Sequence, residues 1–133
     1  MAALLRRRES EKKKVLLIDD EKDFTEIVKT ALDERGVYEV KVANSGADGL
    51  YLAKEFKPDI IFLDIMMSDM DGGTVLSKLQ SEVDTRDIPV VFVTAILTEY
   101  EVEKNQEIIG GHTFIAKPAS IEKLIKCIEE KLP

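Results

Sequence analysis

The feature that most constrains this chain is a repeated alternation of short, wholly apolar runs with amphipathic stretches. Residues 15–18 form a continuous apolar run that ends at Asp19 and Asp20. Phe24, Ile27, Val28, Ala31 and Leu32 then recur at helical spacing, the stripe of an amphipathic helix. Gly36 falls at the expected C′ position of that helix. Tyr38–Ala43 alternates apolar and polar residues, as a strand near a sheet edge does. Asn44, Ser45 and Gly46 make a turn, and a helix is predicted over residues 47–56, ended by Pro58. Ile60–Leu63 is the most hydrophobic run, and Asp64 follows it directly. Such a run predicts a central strand buried on both faces.

A loop over residues 65–73 leads to a short helix carrying Val75, Leu76 and Leu79. Residues 90–93 form another buried run, closing at Thr94. Residues 99–109 carry a thin helical stripe (Tyr100, Ile108, Ile109) that Gly110 and Gly111 break. Thr113–Ala116 is a fifth strand, and Ile121, Leu124, Ile125 and Ile128 stripe a last helix. Five strands alternating with five helices imply βαβ units, hence an α/β fold with a mostly parallel sheet and helices on both faces. At 133 residues the chain accommodates one domain of ordinary size. The expected organisation is a flexible basic tail over residues 1–14 and one folded domain over residues 15–132.

Composition narrows the function. No apolar run approaches the ~18 residues of a membrane span. A lone cysteine, Cys127, forms no intrachain disulfide and points to a reducing, cytoplasmic setting. With His112 the sole histidine, a zinc site of several Cys and His is excluded. The net charge is −7, yet residues 1–14 carry six basic and two acidic side chains, which leaves −11 on the rest. An acidic folded part disfavours nucleic acid and suits a metal cation or a basic protein surface. The tail is either a basic arm for nucleic acid or anionic lipid, or a solvated extension.

In a parallel α/β sheet the ligand sits outside the carboxyl ends of the strands. Here those ends deliver Asp19 and Asp20, Asp64, Thr94 and Lys117 to one edge. At an effective dielectric near 20, two carboxylates about 4 Å apart repel by roughly 4 kcal/mol. Three of them call for a proton, a lysine or a divalent cation, and carboxylate oxygens with room for water suit Mg²⁺. Each residue also has a plainer role available. Asp20 could cap the helix starting near Asp23, Thr94 could cap the following turn, and Lys117 could be solvated. Asp64 is harder to place otherwise, because an isolated acid beside four buried residues costs stability unless paired or functional.

The segments VLLIDDE at 15–21, PDIIFLDIMMSDMDGG at 58–73, PVVFVTA at 89–95 and GGHTFIAKP at 110–118 resemble the receiver domain of two-component response regulators, including the single-domain chemotaxis regulators. The likeness spans about residues 14–132. It implies a flavodoxin-like, doubly wound sheet of strand order 2-1-3-4-5. It also implies that Asp64 is the phosphoacceptor for a phosphohistidine on a sensor histidine kinase or a phosphotransfer protein. Asp19, Asp20, Asp64 and the backbone carbonyl of Met66 would hold Mg²⁺, and Lys117 would neutralise the phosphoryl oxygens. Thr94 would hydrogen-bond the phosphoryl group, and Phe114, at the switch-aromatic position, would turn inward as Thr94 moves. The Lys117–Pro118 bond matches the family's cis peptide.

The output surface would comprise residues 99–109, the fifth strand and the last helix, made acidic by Glu99, Glu101, Glu103 and Glu107. It would bind a downstream target protein. The folded domain is expected to bind neither nucleic acid nor membrane, and to catalyse only its own phosphorylation and dephosphorylation. The last helix ends close to Pro133, so no output domain is expected within the chain; it reads as a stand-alone regulator, a phosphorelay intermediate or a domain of a longer protein.

The sequence departs from the family pattern at Ser68, where proline is usual, and at Gly49 and Gly111, where alanine is common. Ser68 predicts a looser loop after Asp64, and Gly49 a helix weakened by up to about 1 kcal/mol. Met66 and Ile96, both apolar, flank the site and predict slow self-dephosphorylation. Two other readings remain open: a phosphorylation-independent binding module on the same fold or a flavin carrier, and a Mg²⁺-dependent aspartyl hydrolase. No Ser/Thr/Gly-rich phosphate loop follows the first strand, which disfavours the flavin carrier. Met66 stands where such a hydrolase would need a second acid.

Overall fold

The computed structural model describes residues 11–95 and 112–133. The predicted helix over 99–109, Ile96, Gly110, Gly111 and most of the basic tail lie outside the described residues. Five parallel strands, β1 (Lys13–Ile18), β2 (Tyr38–Ala43), β3 (Ile60–Leu63), β4 (Val90–Thr94) and β5 (Thr113–Ala116), form one sheet in the order β2-β1-β3-β4-β5. Four helices are described: α1 (Lys22–Asp33), α2 (Gly46–Phe56), α3 (Gly72–Gln80) and α4 (Ile121–Lys131). The strand boundaries match the apolar runs, except that β1 starts two residues earlier, at Lys13. The Lys14 amide donates to Asp59 Oδ2 at 2.8 Å there.

The period-2 geometry of a strand explains why whole runs, not alternate residues, are apolar. Along β1, Val15 and Leu17 enter one core layer with Val28, Leu32, Leu124 and Ile128, beneath α1 and α4. Leu16 and Ile18 enter the other with Ala53, Val75 and Leu79, beneath α2 and α3. β3 divides in the same way, Ile60 and Phe62 to the first layer, Ile61 and Leu63 to the second. β2, at the sheet edge, buries Tyr38 and Val40 while exposing Lys41. The Lys13 ammonium reaches across to the Leu132 carbonyl at 2.6 Å, joining the first strand to the end of α4.

Helix starts follow side-chain capping, with one correction. Ser45, Asp71 and Ser120 each accept a backbone N–H from their helices, α2, α3 and α4. Asp20 does not cap α1. The N-cap there is Glu21, without a side-chain cap, and Asp19 Oδ1 accepts the Glu21 amide at 2.9 Å. Gly36 does take a left-handed conformation (φ +73°), but two residues beyond the cap Glu34, one position later than expected. α2 begins at Gly46 and ends at Phe56, with Lys57 left-handed ahead of Pro58.

Gly49 has a packing reason. A Cβ there would lie 2.7–2.9 Å from the side chain of Ile18, which fills the space beneath α2. The helix forgoes alanine's propensity so that β1 and α2 can approach closely. Gly49→Ala should therefore destabilise the domain in urea unfolding by about 1–3 kcal/mol despite the better helix former. Adding Ile18→Val should recover part of that loss.

Candidate functional site

The hydrogen-bond ladder continues one step past the strand ends and so fixes the acids. The Asp19 amide donates to the Ala43 carbonyl at 3.0 Å, and the Asp64 amide to the Ile18 carbonyl at 2.9 Å. The Lys117 amide donates to the Thr94 carbonyl at 2.8 Å, carrying β4 and β5 to the same edge. Asp19, Asp64 and Thr94 are all buried, and Asp20 is half-buried. One carboxylate oxygen each from Asp19, Asp20 and Asp64 lie within 4.8 Å of one another. Asp20, Glu21, Asp64, Met66, Thr94, Ala95 and Lys117 line the cleft above them. The structure thus brings together all five polar residues that the sequence placed at the strand ends.

Lys117 is the counter-charge. Its Nζ lies 2.6 Å from Asp19 Oδ2, 2.6 Å from Glu21 Oε1 and 4.0 Å from Asp64 Oδ2. The Phe24 ring centroid is 4.5 Å from the same nitrogen. Asp19 Oδ2 makes that ion pair without a well-directed hydrogen bond, and so is a buried oxygen with unused acceptor capacity. Such an oxygen, beside two further carboxylates, fits a hard divalent cation. Glu21 and Phe24 escaped the sequence reading: one is the ordinary residue after a paired acid, the other the first member of a core stripe. The Lys117–Pro118 bond is cis.

Burial, followed by the negative charge of Asp19, pushes the Asp64 carboxyl up to about 6. Lys117 and the Met66 and Ile65 amides act in the opposite sense. Asp19 is also raised, chiefly by burial, against the pull of Lys117 and the Glu21 amide. Burial works against the Lys117 ammonium, but its close pairing with the Asp19 and Glu21 carboxylates outweighs that, and its pKa is raised.

The loop after Asp64 is anchored on both flanks. Ser68 donates its amide and hydroxyl to Asp20 Oδ2, at 3.1 and 3.3 Å. Proline could supply neither bond, so the substitution ties the loop down where a looser one was expected. Asp69 accepts the amides of Gly46 and Ala47 at the start of α2, at 2.9 and 3.1 Å. Those two N–H groups hold its carboxyl below the usual range. The Gly72 amide returns to the Ile65 carbonyl at 2.7 Å. A Cβ on Gly72 would stand 2.5 Å from the Asp64 carbonyl oxygen, so only glycine closes this turn. The Asn44 side-chain amide adds bonds to the Asp19 carbonyl and Thr25 Oγ1, at 2.8 and 3.1 Å. Met66 is 65% exposed, at the mouth of the cleft. The Phe114 ring is buried and stacked on Phe92, with centroids 5.0 Å apart.

The profile of the response regulator receiver domain matches residues 15–129. The chain is 33% identical over 107 residues to the DNA-binding dual master transcriptional regulator RpaA of a Synechocystis species, covering 80% of this chain and 44% of that protein. It is 34% identical over 111 residues to PilH of Pseudomonas aeruginosa, covering 81% of this chain and 89% of that one. Thus it spans less than half of one relative and most of the other. Among solved structures, the chemotaxis protein CheY4 of Vibrio cholerae superposes with a TM-score of 0.77 at 25% identity, covering 91% of this chain and 99% of that one. Among the described residues no helix is long and apolar enough to cross a membrane.

Because Asp64 holds its proton more tightly folded than unfolded, the folded state binds more protons between the ordinary carboxylate value and about 6. Stability of the metal-free protein should therefore fall as pH rises through that window. Asp64→Asn removes the buried charge, and in EDTA at pH 7.5 it should raise stability by on the order of 2 kcal/mol. By thermal unfolding the gain should shrink towards pH 4.

Proposed function

The chain belongs to the response regulator receiver domain family, which works in phosphorylation-based signalling, and on that premise we propose that Asp64 is its phosphoacceptor. The observation that carries this reading is the convergence of Asp64 with Asp19, Asp20 and Lys117 in one cleft. In the proposed step an Asp64 oxygen attacks the phosphorus of a phosphohistidine. An O–P bond forms as the N–P bond breaks, and the electron pair stays with the departing imidazole. A carboxyl group near 6 is largely ionised at neutral pH, so no base is required. Phosphoryl transfer asks chiefly for positioning and for neutralisation of oxygen charge.

Asp19, Asp20 and Asp64, with the Met66 carbonyl, are the residues that would hold Mg²⁺. That cation would supply charge neutralisation for the transferring oxygens. Lys117 contributes the second positive charge, and Thr94, at the end of β4, is the hydroxyl donor to the new group. Phosphorylation would add negative charge and acceptor oxygens on Asp64, just past β3 and beside Thr94 at the end of β4, a change that would act through Thr94. Phe114, inside the fold and stacked on Phe92, occupies an inward position that such a switch would select.

The partners on this reading are a sensor histidine kinase or a histidine phosphotransfer protein and a downstream target protein, in the cytoplasm. The domain would turn over only its own phosphoryl group. Neither nucleic acid nor membrane is a proposed partner of the folded part.

Intact mass after incubation with Mg²⁺ and acetyl phosphate tests the reading. One phosphoryl group should be gained, and none in Asp64→Asn or in EDTA. Lys117→Met should slow the gain by about 10²-fold, the scale of losing one charge-stabilising donor. Absence of any gain would favour a phosphorylation-independent binding module, and steady release of phosphate from monoesters would favour a hydrolase. With apolar Met66 at the cleft mouth, the label should persist for minutes after donor removal. Its loss within seconds, with no phosphatase added, would refute slow self-dephosphorylation.

A further inference from the structure

Lys117 is held on the side of its pocket away from the carboxylate it would serve. Its Nζ is 2.6 Å from both Asp19 Oδ2 and Glu21 Oε1, yet 4.0 Å from Asp64 Oδ2. The Phe24 ring backs the same position at 4.5 Å. All three holders come from one short stretch: Asp19 just past β1, Glu21 as the N-cap of α1, and Phe24 in its first turn. Glu21 differs from Asp19 in two respects. Its side chain is 60% exposed, and it is not one of the three clustered carboxylates. A cation that draws on Asp19 therefore weakens one hold on Lys117 and leaves the Glu21 hold in place.

Resting on the receiver reading above, we propose that Glu21 is a positioning residue that retains Lys117 away from Asp64 and thereby slows acceptance of a phosphoryl group. A charge-assisted N–H···O contact closes to about 2.8 Å. Lys117 must therefore advance by about 1 Å to meet Asp64 or a phosphoryl oxygen bound to it. Glu21 opposes that advance. An ion pair with one exposed partner biases an equilibrium by about two- to fivefold. The pair thus tunes the rate and does not block it. The chemistry is untouched: an Asp64 oxygen bonds phosphorus, the donor's bond to phosphorus breaks, and the donor leaves with that electron pair.

The test uses the full chain with acetyl phosphate and saturating Mg²⁺, saturation being set for each variant by calorimetric titration. Intact mass follows the labelling rate of the wild type, Glu21→Gln and Asp23→Asn. Asp23 is the acid of the first turn of α1 and is not among the partners of Lys117. Glu21→Gln should label about two- to fivefold faster, and Asp23→Asn at the wild-type rate. Equal acceleration in both variants would mean that only the overall negative field had been relieved, and would overturn the proposal. So would an unchanged or slower rate in Glu21→Gln with its thermal unfolding intact. A wild type that takes up no phosphoryl group at all would instead overturn the receiver reading, and this inference with it.

Discussion

One ammonium group makes the carboxyl edge of this sheet tenable. Asp19 and Asp64 are both buried, and burial first, then the charge of Asp19, raises the proton affinity of Asp64. Without Lys117 the pair would have to protonate or draw apart, because an uncompensated buried charge costs several kcal/mol. Lys117 can serve both acids only because β5 lies in register with β4, so that its amide meets the Thr94 carbonyl. The parallel sheet and the charge arrangement are thus one constraint. The strand order aligns the ends, and the aligned ends need a cation.

The fold and the charged residues of the site were legible for the same physical reason. Strands buried on both faces must be apolar throughout, so Ile60–Leu63 could be recognised, and an acid directly after such a run stands out. What could not be read was the loop chemistry. Ser68, seen as a missing proline, suggested looseness, yet its amide and hydroxyl anchor Asp20. Asp20 looked like a helix cap because its spacing allowed it; the competing donor lay 48 residues away, where no local pattern reaches. Glu21 is hidden for the same reason, its partner Lys117 being 96 residues distant. Gly49 appeared to be a defect until the side chain of Ile18 was seen in the space a methyl group would need.

The loop between Asp64 and α3 is bound at several points. Three anchors hold it: Ser68 on Asp20, Asp69 on the start of α2, and the Gly72 amide on the Ile65 carbonyl. Each lies within eight residues of Asp64; the first ties the loop to the end of β1, the second to α2, and the third closes it onto the start of α3. Such over-determination fixes where the Asp64 carboxylate stands relative to Asp19, Asp20 and Lys117.

The clasp between Lys13 and the Leu132 carbonyl bears on how the domain is made. Of the described strands and helices β1 leaves the ribosome first, but one of its faces is covered in part by α4, the last of them. At about 5–20 residues per second, Val15 and Leu17 wait several seconds for Leu124 and Ile128 to emerge. During that interval the half of the core beneath α2 and α3 can close while the other half stays open. The nascent chain therefore presents part of an apolar strand face until α4 has been made, although α1 supplies Val28 and Leu32 to that face earlier.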